Sequence, residues 1–385
     1  MRLLITLALF LSFFMIDGFC HVRENIDTKK ELIYIGTFSE NGSLGIYVFD
    51  YDRKNKRYDL LQTIISKGSP SFVELSPNGK FLFSANREGL EGKEEWGSIT
   101  SFAVDQGSGK LSIIQNQFSY GDSPCHVSVH PSGKYIFVSH YKGGNFVVLP
   151  IDEEGRIGEP TANVQLEGKG TILPRQEQPH THSAIPSIDG KYLYVSDLGL
   201  DKILIYKFDE NTGSVNPASQ PFIRTIPGAG PRHFTFHPKN DIAFSAEEIS
   251  SSICSYKVDK ATGSLQQIQR LPALPPAFFG DNSSADVHTS PDGRYVYISN
   301  RGYNGLAMYK VSSNGKMKNI GYMPTIGMKP RSFLPDPKGY FMLVGNRDSN
   351  EVNIFVMEKD GTLTDTSGYL PVPSPVCIKY LEINY

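Results

Sequence analysis

The chain has 385 residues, 39% of them hydrophobic and 11% aromatic, with 36 glycines and 25 prolines, enough apolar material for an extensive core and a composition suited to a turn-rich all-β protein. Its 38 basic and 40 acidic residues leave a net charge of −2, which excludes the basic field that non-specific nucleic-acid binding needs. The cysteines Cys20, Cys125, Cys254 and Cys377 give neither a disulfide framework nor a metal-ligand spacing.

At the N-terminus, Arg2 supplies a basic start, and Leu3 to Ile16 is a largely apolar run. That run is too short for a comfortable membrane span and suits a cleaved signal peptide. The expected division is a signal peptide over 1–20, cut near Gly18 to His21, a linker over 21–30, and one domain over 31–385. Cys20 is a candidate lipid attachment, although Phe19 stands where such sites want a small residue. The mature chain is therefore expected outside the cytoplasm, periplasmic or secreted, with no transmembrane domain.

From there the chain repeats itself. A strand ends, turns, and restarts at Lys56-Arg57-Tyr58, Gly109-Lys110-Leu111, Gly155-Arg156-Ile157, Gly213-Ser214-Val215, Gly263-Ser264-Leu265, Gly315-Lys316-Met317 and Gly361-Thr362-Leu363. The gaps between successive third residues are 53, 46, 58, 50, 52 and 46. A period near 50 marks units that cannot bury an apolar face alone. Between these triplets lies a second recurring turn, at Ser76-Pro77-Asn78-Gly79, His130-Pro131-Ser132-Gly133, Ser187-Ile188-Asp189-Gly190, His237-Pro238-Lys239-Asn240, Ser290-Pro291-Asp292-Gly293 and Asp336-Pro337-Lys338-Gly339. Pro, a polar residue, then Gly or Asn is hairpin chemistry. The runs that follow, such as Lys191 to Ser196 and Ile203 to Asp209, alternate like strands. Each unit is thus four antiparallel strands, with this turn joining the first two.

The restart triplet occurs seven times but the Pro-Gly turn only six. The missing copy is split across the ends: Glu31 to Gly36 reads as a second strand without its first, and Ser374 to Ile378 as a first without its second. Pairing them closes a seven-bladed β-propeller, which leaves only short, protected edges.

In a hairpin, the start of the first strand and the end of the second share a rim. Five residues before each Pro-Gly turn stand Ser71, Cys125, His182, Arg232, Ala285 and Arg331. Seven after it stand Asn86, His140, Asp197, Glu247, Asn300 and Asn346, and eight after it Arg87, Tyr141, Leu198, Glu248, Arg301 and Arg347. These offsets are mostly polar on otherwise apolar strands, which predicts a polar, Arg-rich mouth. Planar guanidinium groups suit carboxylate or phosphate. His182 and Glu248 are candidate acid/base groups, and Arg232 and Arg301 candidate catalytic charges. His126, His233, His288, Arg331 and Asn346 are candidate substrate-binding residues near the same rim. His130 and His237 read as turn residues, and Cys254 as a packed small hydrophobe. No metal or cofactor motif is present.

These segments resemble the bacterial 6-phosphogluconolactonase family of the seven-bladed propeller type, itself related to the fungal carboxymuconate lactonizing enzyme. The resemblance rests on Thr181-His182-Ser183-Ala184, on Gly228-Ala229-Gly230-Pro231-Arg232-His233, on Glu248 in Ala246 to Ser252, on Ala285-Asp286-Val287-His288, on Asn300-Arg301 and on Lys329-Pro330-Arg331. It spans about residues 31–385 and implies a site at His182, Arg232, Glu248 and Arg301. The expected activity is metal-independent, cofactor-free hydrolysis of a sugar lactone or similar anionic lactone, with His182 or Glu248 as base. Two alternatives stand beside it: a muconate-type cycloisomerase, and a non-catalytic exported propeller that binds carbohydrate or protein. A signal peptide departs from the family's cytoplasmic setting, so the natural lactone need not be phosphorylated.

Overall fold

The structure is a computed structural model that describes residues 29–66, 68–90, 92 and 95–384. The expected signal peptide, Cys20 and most of the expected linker lie outside the described residues. The first strand begins at Lys29, two residues before the expected start at Glu31.

Among the described residues the strands form seven four-stranded antiparallel sheets. Six are continuous in sequence. The seventh joins Pro375–Asn384 to Lys29–Thr37, and continues through Gly45–Asp52 to Arg57–Ile65. Its register runs from Lys29 opposite Asn384 to Thr37 opposite Pro375, so the two ends of the chain close the ring. The first strands of successive blades touch each other all the way round, from Pro70–Leu75 through Pro330–Pro335 to Pro375–Asn384. They therefore line the central channel.

Local chemistry explains the repeat. In Ser290-Pro291-Asp292-Gly293, the Ser290 hydroxyl donates to Asp292 Oδ1 at 2.7 Å and Gly293 N donates to Ser290 O at 2.9 Å, with Gly293 at φ +78°. The restart glycines serve between blades. Tyr194 and Tyr297 donate to the carbonyls of Gly263 and Gly361 at 2.8 and 3.0 Å. Gly263 has φ +73°, and a Cβ there would meet the Tyr192 ring at 2.3 Å. Six triplets open an outer strand as expected. In the third blade Ile157 makes only an isolated bridge to Ile151, and the outer strand is the short Ala162–Gln165.

Inner strands are buried and outer strands half exposed: Tyr295–Asn300 is buried throughout, whereas Met317–Pro324 is mostly not. The core accordingly lies between blades, in clusters such as Tyr192, Tyr194, Phe234 and Tyr256.

Candidate active site

Every first strand carries an irregularity in its register against the second. It falls between Pro70 and Phe72, Pro124 and His126, Thr181 and Ser183, Pro231 and His233, Ser284 and Val287, and Pro330 and Ser332. Between Pro375 and Cys377 the same skip occurs. The residues passed over include Ser71, Cys125, His182, Arg232, Ala285, Arg331 and Val376. A β-bulge leaves its extra residue unpaired and re-aims the side chain, so this tier faces the channel.

A second tier sits one step outward, just past the second strands. Arg87, Tyr141, Leu198, Glu248, Arg301 and Arg347 each donate a backbone N–H to the carbonyl of the loop ahead of the first strand, for example Glu248 N to Gly230 O at 2.7 Å and Arg301 N to Ser283 O at 3.0 Å. Phe38 N makes the same bond to Ser374 O at 3.1 Å and completes the ring. Two tiers of seven thus bring five arginines and one glutamate to one mouth, in a chain of net charge −2.

Glu248 is the centre of this charge. It is 5% exposed, and Arg232 beside it 1%. Its Oε2 lies 2.9 Å from Arg232 Nε and 2.8 Å from Arg301 Nη2, while Arg175 Nη2 holds Oε1. Burial alone would raise its carboxyl, but Arg301, Arg232 and Arg175 outweigh that and hold it far below the ordinary carboxylate range. The Arg232 Nε–H is not aligned on the carboxylate, so that contact is an ion pair that leaves a buried donor uncommitted. Arg301 also donates to Ser284 O at 3.0 Å.

His182 is buried one layer below. Its Nδ1 lies 3.8 Å from the Cys125 sulfur, and its ring meets those of Tyr141 and His233 edge-on at 5.6 and 5.4 Å. Burial, then the charges of Arg232, His233 and Arg331, push it well below the usual histidine range, so the ring is neutral at pH 7. It forms no hydrogen bond or ion pair with Glu248. The two expected acid/base groups share the mouth without touching. Burial pushes the Cys125 thiol up to about 11, which keeps it a thiol.

Arg331 lies with Arg301, Arg347, Lys329 and Ser283 around a cavity of about 120 Å³. Burial and the neighbouring Arg232, Arg301 and Arg87 depress it well below its ordinary value. Phe38 lies beneath three of these cations, with the Arg87, Arg331 and Arg347 guanidinium carbons 4.3, 5.0 and 6.0 Å from its ring centroid.

The remaining expected residues are placed differently. His288 is not at the mouth: it lies three residues beyond the bulge, about 10 Å further along the strand. There it lines a hollow of about 310 Å³ toward the Pro-Gly turns, together with His126, His233, Glu74 and Lys379. His126 packs on Phe72 at 4.3 Å in the middle of the channel. His233 is held between Arg232 and Asp286. Asn346 is fully buried and braces the rim, donating to Thr325 O at 3.0 Å and Asn353 Oδ1 at 2.6 Å.

Sequence reasoning missed Arg175 and Phe38. Arg175 belongs to no repeat position. It sits in the segment 166–180 that lengthens the third gap to 58 residues, and that gap is the signal that marks it. Its neighbour Gln176 is fully buried, donating to Leu198 O and Asp201 Oδ1 at 2.8 Å and accepting from Thr171 N and Ile172 N. That anchor holds Arg175 over the mouth. Among the described residues no cluster of His, Cys, Asp and Glu is arranged to hold a metal ion.

Residues 32–380 match the family model described as lactonase, 7-bladed beta-propeller. The chain is 32% identical to the 6-phosphogluconolactonase of Bacillus subtilis (strain 168), over 92% of this chain and 99% of that one. It is 34% identical to the 6-phosphogluconolactonase of Formosa agariphila, over 84% and 91%. Among solved structures, the periplasmic gluconolactonase of Pseudomonas aeruginosa superposes with a TM-score of 0.84 at 29% identity, covering 92% of this chain and 99% of that one.

Proposed function

We infer the chemistry of the mouth from one premise: this chain belongs to the family of seven-bladed β-propeller lactonases, and is a carboxylic-ester hydrolase that opens lactones. The proposed substrate is an anionic sugar lactone. The observation that carries this reading is the buried Glu248 carboxylate clamped by Arg232, Arg301 and Arg175, beside a cavity ringed by Arg301, Arg331, Arg347 and Lys329.

In this reading the cationic ring takes the anionic substituent, as guanidinium groups take carboxylate or phosphate. The lactone carbonyl then faces Arg232, whose uncommitted Nε–H is a donor for the developing oxyanion. His182 is the better base. Glu248 is a weak proton acceptor because three guanidinium groups stabilise its charge, and its role is to orient Arg232 and Arg301. His182 starts neutral, held so in part by the charges of Arg232 and Arg331. An anionic substrate offsets those charges and moves the ring toward the basicity catalysis needs. Water loses a proton to His182 and bonds to the carbonyl carbon. The ring C–O bond then breaks, and His182 returns the proton to the leaving alkoxide, giving the open hydroxy acid.

The export expected from residues 1–20 and the likeness to the Pseudomonas protein favour action outside the cytoplasm on a gluconolactone-like ring that carries an anionic substituent, with gluconolactone itself as the uncharged comparison. A pH-stat comparison of gluconolactone and 6-phosphogluconolactone, each corrected for spontaneous hydrolysis, tests the substrate class. Turnover of either is expected, and Arg331→Ala should lower kcat/KM more for the phosphorylated lactone. Equal effects on both would remove Arg331 from anion recognition, and no turnover of any sugar lactone would overturn the assignment.

A further inference from the structure

Neighbouring side chains on a regular strand point to opposite faces. The bulge after Pro231 breaks that rule, and Arg232 touches the residue that follows it: its Nη1 lies 3.0 Å from His233 Nε2 and also donates to Ala285 O at 2.8 Å. The next blade contributes Asp286 from its own irregular stretch, with Oδ1 2.7 Å from His233 Nδ1.

The hydrogens on this chain follow from chemistry. A guanidinium has donors only, so His233 Nε2 accepts. Its Nδ1 then carries the single proton and donates it to Asp286. Asp286 is itself fixed by Val287 N on Oδ1 at 3.1 Å, and by Phe333 N and His288 Nε2 on Oδ2 at 3.3 and 3.1 Å. Burial and the Arg232 charge push His233 down to about 4, in keeping with a neutral ring. Around it stand Arg232, Asp286, His126, His182 and Phe72, with His288 on the other oxygen of Asp286.

We propose that His233 and Asp286 are positioning residues for hydrolysis: Asp286 fixes the His233 tautomer so that the ring accepts from Arg232 and locks the guanidinium in its catalytic pose. The opposite tautomer, or an imidazolium, would set N–H against N–H and turn Arg232 away. This rests on the reading of Arg232 as the oxyanion partner.

The test joins a wild-type measurement to two variants. In ¹⁵N spectra of the folded protein at pH 7, His233 should carry its proton on Nδ1 with Nε2 free; an Nε2–H or a doubly protonated ring overturns the proposal. His233→Gln keeps the polarity, its carbonyl accepting from Arg232 and its amide donating to Asp286, and should hold kcat within about 10-fold. His233→Leu should lower kcat about 10²-fold with little change in KM, the scale of a misplaced catalytic group. Equal kcat in the two variants, at matched melting temperature, would reduce His233 to a structural role. Arg232→Ala, assayed alongside, separates the two failures. If it is inactive while His233→Leu is not, only the positioning inference falls. If it is fully active, the reading of the mouth falls.

Discussion

Arg232 shows how much of this site is set at the scale of one residue. It is almost wholly buried, and its charge survives there because Glu248 is within 2.9 Å and because Ala285 O and His233 accept from it. Burial and the nearby Arg301 bring it down to about 10, still protonated at neutral pH. His182 is the counterpart, a buried ring kept neutral. Its folded value lies well below the usual histidine range, so kcat/KM should stay level as pH falls through about 6.5 and drop only well below that, where the ring takes a proton. His182→Ala should cost about 10²–10⁴-fold in kcat, the usual worth of a general base, and abolish that acid limb. A variant that keeps the limb would pass the role to another group. Arg87, Arg232, Glu248, Arg301, Arg331 and Arg347 were legible in the sequence because each stands at a fixed count from a Pro-Gly turn. The contact between Arg232 and His233 was not. It depends on a bulge, and period-two alternation puts adjacent residues on opposite faces.

At the scale of the element, turn chemistry carries the information. Restart glycines such as Gly263 combine a left-handed backbone with a neighbouring aromatic ring at Cβ distance. Gly263→Ala should cost about 2–4 kcal/mol from backbone strain and overpacking, read as a lower denaturant midpoint; an unchanged midpoint would mean the turn relaxes freely. These local rules are why the blades, their strand order and the terminal closure could be counted from sequence. They also explain the omissions. Phe38 occupies the seventh rim position, but its blade is split between the chain ends and has no Pro-Gly turn to count from. Arg175 belongs to an insertion that obeys no period and is anchored instead by Gln176. His288 lines the hollow below the rim because nearness in sequence to a rim residue is still about 10 Å along a strand.

At the scale of the molecule, closure gathers unlike residues from all seven blades around one axis, and the site belongs to the ring rather than to any blade. The ring has a corresponding acid weakness. His140 and His233 are pushed down to about 4, chiefly by burial. Their folded values lie below the unfolded one, so unfolded chains bind more protons as pH falls. The stability they allow is whole above about 6.5 and is lost from there toward 4. At pH 5 each should cost about 2 kcal/mol. The melting temperature should therefore fall steeply between pH 7 and pH 5, and a flat profile would mean these rings are solvated.

The most direct test is lactone hydrolysis by Arg232→Ala against wild type, with and without a chelator, on whichever sugar lactone the wild type turns over best. A buried, uncommitted donor at the developing oxyanion is worth about 10²–10³-fold in kcat. The arginine-clamped mouth predicts a chelator-independent loss of that size with folding intact. Near-wild-type turnover by Arg232→Ala would contradict it.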